Sequence, residues 1–383
     1  MKTFAYLDIR VGTRDTGRIV IELDFDNAPK TSNSFLQLCV NKFYKNTCFH
    51  RVIKNFIIQG GDIDHKITCQ DEYPPDTLGK GGRMIDTNMF YEDENLRAID
   101  EPFLVCLSNM GNVNSNNSQF FINTLASPHL TGKHTVFGKV RHGKSVVREI
   151  ERVPVMSSKS GDSQAWLPVK EEIVLIVDCG KWTDGDPTPC YNACYDSIGG
   201  DIYEEYPDDN EVEGLDLENP EITYKISTVI KESASLLFKE KRLRDAFLKY
   251  KKALRYCNEL IPDQDSDPEY YKKFLNLKKS IYLNLALVAL QMNDYQTTID
   301  YCGYLLDMDK NVPMTQTQTS KTLYRLGMAY RGLKNFKVAL EFLQKASLLC
   351  PNDQGINSEL CKVQNLVEYE KRNERQRFAK FFS

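Results

Sequence analysis

A chain of 383 residues, 41% apolar and 27% charged, has the length of two ordinary domains and the composition of folded rather than disordered protein. Its formal net charge of −4 offers no strongly basic balance, which argues against nucleic acid as a partner. No apolar run approaches the ~20 residues of a membrane helix, so no membrane contact is expected.

Residues 1–182 are expected to be rich in strands. The N-terminus meets Asp8 before an apolar signal core forms. Short β-branched and aromatic runs at 4–11 and 19–23 flank turn residues 12–17. Asn27-Ala28-Pro29-Lys30 then opens a helix, with proline in the first turn where its missing N–H costs nothing, and Phe35, Leu38 and Cys39 on the inward face. Further strands are expected at 57–58, 103–107, 120–122, 136–140 and 173–178. Short strands, glycine-rich connections and one or two helices predict a closed antiparallel barrel.

Residues 183–224 hold Asp184, Asp186, Asp201, Glu204, Glu205, Asp208, Asp209, Glu211 and Glu213 without one Lys or Arg. Such a like-charge stretch is expected to be a solvated linker, the alternative being an acidic regulatory strap on the basic second domain. The eleven cysteines are odd in number and scattered. The one close pair, Cys190 and Cys194, lacks the further ligands of a zinc site, so reduced thiols of a cytosolic or nuclear protein are expected.

From Ile226 onward the chain is expected to be helical and repetitive. Leu323-x-x-Leu326-Gly327-x-x-Tyr330, then Ala339, Leu343, Ala346 and Pro351, follows the tetratricopeptide pattern over one unit. The grid recurs as Ala234, Leu237, Ala246, Tyr250, Ala253 and, more faintly, as Ala286, Ala289, Thr298, Leu305. The expectation is three repeats over 225–355, followed by a capping helix over 356–383. The basic stretch 371–377 in that helix is expected to be a solvated end rather than a calmodulin site.

Three runs in the first domain carry a family resemblance. They are Phe49-His50-Arg51-Val52-Ile53-Lys54-Asn55-Phe56-Ile57-Ile58-Gln59-Gly60-Gly61-Asp62, Asn117-Ser118-Gln119-Phe120-Phe121-Ile122, and His129-Leu130-Thr131-Gly132-Lys133-His134-Thr135-Val136-Phe137-Gly138. With Ala28-Pro29-Lys30-Thr31 and Phe90-Tyr91-Glu92-Asp93-Glu94-Asn95, they make residues 4–182 resemble the cyclophilins, a class of peptidyl-prolyl isomerases. The resemblance implies an eight-stranded antiparallel barrel capped by two helices, with no cofactor, metal or nucleophile.

Rotation about an X–Pro bond is slow because resonance stiffens the C–N bond, with a barrier of about 18–20 kcal/mol. A donor aimed at the prolyl nitrogen or the swinging carbonyl oxygen weakens that resonance in the twisted state, and a permanently charged guanidinium suits the task. The resemblance puts Arg51 in that role, with Phe56, Phe121 and Leu130 lining the proline pocket. It places Gln59, Asn109 and His134 along the substrate backbone, with His50 beside Arg51. Three residues depart from the family pattern: Ile57 stands for Met, Met110 for a small Ala, and His129 for Trp. Met110 is expected to narrow the groove, and His129 to weaken cyclosporin binding.

A barrel, an acidic segment and three tetratricopeptide repeats together resemble the cyclophilin-40 family. That resemblance implies a C-terminal superhelix of repeats docking on the acidic C-terminal tail of the 90-kDa heat-shock chaperone, with the 70-kDa class as a second candidate. The matching clamp positions are Lys231, Asn284, Lys321 and Arg325, with Ser235 where the family has Asn. Lys321 and Arg325, four apart, share a helix face. The reading is a cytoplasmic prolyl isomerase and co-chaperone acting on proline-containing clients. Its rivals are a non-catalytic adaptor with a peptide-binding barrel, and a repeat scaffold for an unrelated partner.

Overall fold

The computed structural model describes the chain apart from residues 1, 69–72, 74–76, 84–91, 157–165, 187–193, 211–214, 311 and 382–383, and apart from the side chains of 374–381. Phe90, Tyr91, Cys190, Glu211, Glu213 and the side chains of the basic stretch after Asn373 therefore lie outside the described residues. The chain divides into two compact units, Met1–Asn192 and Ala193–Ser383. Among the described residues no helix is long and apolar enough to cross a membrane.

Among its described residues the first unit is built on eight strands: β1 (Thr3–Val11), β2 (Arg14–Leu23), β3 (Arg51–Ile53), β4 (Ile57–Gly60), β5 (Leu104–Asn109), β6 (Asn116–Asn123), β7 (Val136–His142) and β8 (Val174–Trp182). They form one antiparallel sheet in the order β3-β4-β6-β5-β7-β2-β1-β8. The ring closes where β8 meets the chain just ahead of β3: Phe49 N–H donates to Val174 O at 2.9 Å, and Ile176 N–H to Thr47 O at 2.9 Å. The closed eight-stranded barrel is the expected one.

Strand alternation fills it. Ala5, Leu7, Ile9 and Val11 of β1 point inward and are buried, and so are Ile19, Ile21 and Leu23 of β2. Phe35, Tyr44, Phe49, Phe120 and Phe137 interlock in the core, with Phe35 edge-on to Phe120 at 5.2 Å between centroids. Two helices cap the barrel, α1 (Pro29–Val40) and α2 (Lys144–Glu151). Helix α1 has no side-chain cap of its own. The Glu94 carboxylate takes its free amides instead, from Lys30 N–H at 3.2 Å and Thr31 N–H at 2.8 Å.

The second unit holds seven helices among its described residues: α3 (Pro220–Lys239), α4 (Leu243–Leu260), α5 (Pro268–Gln291), α6 (Tyr295–Asp309), α7 (Gln316–Gly332), α8 (Phe336–Leu349) and α9 (Gln354–Phe381). Starts are marked by Asn219, Asp267, Asp294 and Asn335 as capping acceptors, and by a capping box between Thr315 and Gln318 at α7. Ala234, Ala246, Ala253, Ala286, Ala289, Ala339 and Ala346 are all fully buried, so the small-residue grid does bring helices together. Gly327 is one tight point: a Cβ there would lie 2.6 Å from Leu343 Cγ. Helix α9 covers α8 with Ile356, Val363 and Val367.

Over residues 194–210 the solvated-linker expectation for 183–224 is corrected, and its alternative, an acidic strap on the second unit, describes them. The boundary between the units falls inside 183–224, and residues 194–210 fold onto α3 and α4 as an acidic strap. Asp201, fully buried, accepts from Lys249 Nζ at 2.5 Å and Lys252 Nζ at 2.8 Å. Glu205 pairs with Arg255 at 2.6 Å, and Asp196 with Arg242. Cys194, Ile198, Tyr203, Leu215 and Leu217 pack with the apolar side of the same helices. The like-charge argument counted acids within the segment, whereas the neutralising cations stand about fifty residues later on α4.

Candidate active site and peptide groove

Cross-strand register assembles the first site. Arg51 lies opposite Gln59, Gln59 opposite Phe121, Phe121 opposite Cys106, and Cys106 opposite Val136. Residues directly opposite in a sheet share a face, so these five form one row on the outside of the barrel. The adjacent row, Val52, Ile58, Ile122 and Val105, points inward and is fully buried. One step of register would turn Arg51 into the core.

Around Phe121 the outer face carries an apolar cluster of Ile57, Ile99, Leu104, Cys106 and Val136, with Ile53, Phe56 and Leu130 packed on its edge. Phe56 comes from the turn between β3 and β4, and Leu130 from the 3-10 turn Pro128–Leu130. His129 stacks on Phe56, with centroids 5.1 Å apart and planes 29° apart. His134 stands edge-on to Phe121 at 5.1 Å, and its Nδ1 lies 3.1 Å from Leu107 O. Burial pushes the His134 imidazole pKa down, the Leu107 carbonyl opposing it.

Arg51 is exposed at the polar end of this face. Gln59 Nε2 donates to Ser108 Oγ at 3.1 Å and to Gln119 Oε1 at 3.0 Å. Gln119 Nε2 in turn donates to Gly79 O at 2.9 Å and Gly81 O at 2.6 Å, and Asp62 accepts from the N–H groups of the same two glycines. Ser108 and Gln119 were not singled out from the sequence. The signal was there for Gln119, which sits two residues before Phe121 and therefore on the same face of β6.

Four expected residues sit differently. His50 is buried one position before Arg51, against Gly79, where a Cβ would lie 2.8 Å from its Cδ2; burial lowers its pKa. Asn109 ends β5 with its side chain held inside the loop, donating to Lys133 O at 2.7 Å and accepting from Gly111 N–H at 3.2 Å. Met110 projects into solvent, 65% exposed, and Ile57 is buried in the cluster. The outcome is an apolar floor with one exposed guanidinium and an amide network beside it. It suits an apolar ring held still beside a polar bond that turns.

In the helical unit, α3 touches α5 and α5 touches α7. Lys231 on α3 is half-buried, with Nζ 2.6 Å from Glu232 Oε1. The Ser235 hydroxyl is committed to Lys231 O and to Tyr250 Oη, both at 3.0 Å. Asn284 on α5 is half-buried, and Lys321 on α7 is exposed. Arg325 donates from Nη1 to Leu283 O at 2.7 Å; burial pushes its pKa down.

The family model for cyclophilin-type peptidyl-prolyl cis-trans isomerases matches residues 6–180, and a tetratricopeptide-repeat model matches 320–353. Over 402 aligned residues the chain is 42% identical to the peptidyl-prolyl cis-trans isomerase CYP7 of Saccharomyces cerevisiae, covering 99% of this chain and 98% of that protein. Barrel, outer-face site, repeat grid and a likeness that runs end to end agree: the chain belongs to the cyclophilin-type peptidyl-prolyl cis-trans isomerases that carry C-terminal tetratricopeptide repeats.

Proposed function

We propose that Arg51 is the centre of the isomerase site and that the helical unit docks the enzyme on the acidic C-terminal tail of the 90-kDa heat-shock chaperone. The observation that carries the first part is the Arg51–Gln59–Phe121 row, with Phe56 and Leu130 at its edge. The proline ring rests on Phe56, Phe121 and Leu130. Gln59, held by Ser108 and Gln119, orients the peptide, and His134 flanks it as a neutral ring. Twisting the X–Pro bond localises the lone pair on nitrogen, so the Arg51 guanidinium binds the twisted state better than either planar one. The test is the exchange rate of a short X–Pro peptide by NMR. Arg51→Ala is expected to lower the catalysed rate about 10²-fold, and Arg51→Lys to restore it only in part. An Arg51→Ala rate equal to wild type sinks the assignment.

Docking is supported by donors on three successive first helices: Lys231 on α3, Asn284 on α5, and Lys321 with Arg325 on α7. A guanidinium has five N–H donors, so Arg325 anchored on Leu283 O still presents donors to a carboxylate. Ser235 makes no direct contact in this reading, its hydroxyl being used within the repeat. In titration calorimetry, Lys321→Ala is expected to weaken binding of the chaperone tail peptide about tenfold. Unchanged affinity rejects the clamp and favours a scaffold for another partner. The same peptide from the 70-kDa class ranks the two chaperones. The reading includes a cytoplasmic location, proline-containing clients and weak cyclosporin binding, because His129 lies flat on Phe56 where the drug would contact an indole.

A further inference from the structure

The carboxylate of Glu151 is buried at the C-terminal end of α2, and the isomerase reading has so far given it no part. That end of a helix disfavours a negative charge, so the helix itself does not account for a glutamate there. Its bonds lie elsewhere. Oε1 accepts from the backbone N–H of Asn55 at 2.7 Å and from Thr124 Oγ1 at 2.6 Å. Oε2 accepts from Arg148 Nη1 at 3.2 Å, and the same Nη1 donates to Thr124 O at 3.0 Å.

Asn55 and Thr124 bracket Phe56. Asn55 precedes it in the turn at a left-handed φ of 58°. Thr124 N–H donates to Phe56 O at 2.8 Å, and Phe56 N–H donates to Ile53 O at 3.1 Å. One buried carboxylate therefore ties the turn that carries Phe56 to the end of β6, three residues past Phe121.

We propose that Glu151 is a positioning residue of the isomerase. Through Asn55 and Thr124 it fixes the depth and angle at which the Phe56 ring, stacked on His129 and beside Leu130, receives the proline ring. This rests on the reading of Phe56 as a wall of the proline pocket. A wall that holds planar and twisted prolines alike contributes uniform binding, so its displacement raises KM and leaves kcat nearly unchanged. Arg51 substitutions act on kcat.

The experiment is the substrate-concentration dependence of X–Pro exchange by NMR, on the full chain. Glu151→Ala is expected to raise KM about tenfold with kcat within about twofold, whereas Glu151→Gln, which keeps an acceptor oxygen, stays near wild type. In a Phe56→Ala background, Glu151→Ala adds no further rise if it acts through Phe56. Effects that multiply, with Phe56→Ala itself impaired, overturn the proposal and leave the pocket reading standing. A Phe56→Ala protein with wild-type KM defeats the pocket reading and the proposal with it. Should Glu151→Ala fail to fold, Thr124→Val removes one donor at nearly constant volume; a smaller rise in KM supports the proposal, and none rejects it.

Discussion

His50, His134 and His142 are each held below the ordinary imidazole pKa, with burial the largest cause in all three. Their unfolded pKa is about 6.5, so between that value and the lower folded ones the unfolded chain binds more protons. Their contribution to stability is then complete above about pH 6.5, falls as pH drops towards the folded pKa values, and levels off below them. The slope approaches about 1.4 kcal/mol per pH unit for His50, which is buried, and is smaller for His134 and His142, which solvent reaches. The urea midpoint of the barrel is expected to fall between pH 7.5 and 5.5, and His50→Gln to reduce that fall. An undiminished fall in the variant removes His50 from the account. At this scale the sequence was legible where side-chain chemistry is distinctive. Arg51, Phe56 and Phe121 stand in recognisable runs, whereas His50, adjacent to Arg51, sits in the buried layer because a strand sends successive side chains to opposite faces.

Elements were legible where the pattern is local. Pro29 opens α1, Phe35, Leu38 and Cys39 are its inward face, and the alanine grid sets the helix pairs. The acidic strap was legible only as an alternative to a linker, because an ion pair between Asp201 and Lys249 spans 48 residues and leaves no short-range trace. Removing Asp201 strands two ammonium groups in a closed site, and breaking a buried pair from one side costs about 3–5 kcal/mol. Asp208 is an exposed acid of the same strap and is expected to matter by no more than about 0.5 kcal/mol. Denaturation of Asp201→Ala and Asp208→Ala beside wild type checks this. Equal stability of all three would mean that the strap contributes nothing as an ionic clasp.

Each unit has its own apolar core, one inside the barrel and one between the helix pairs. Two unfolding transitions are therefore expected in calorimetry, with Asp201→Ala lowering only the one assigned to the helices. A single transition that moves as a whole in the variant would contradict this independence. The sequence by itself determined the two architectures, because strand alternation and the tetratricopeptide grid repeat within a few residues and each dictates a face to bury. It also named most of the chemistry, since a guanidinium, a phenyl ring or a lysine four residues from an arginine is visible without coordinates. Only the tertiary structure decided which of these groups meet. The register of β3, β4 and β6 set Arg51 in one row with Gln59 and Phe121. The loop after β5 committed the Asn109 side chain, and the pairing of α3 with α4 the Ser235 hydroxyl, to their own surroundings. The pairing of α4 with a distant acidic strap turned an expected linker into part of the helical unit, because long-range electrostatics and packing depend on proximity in space.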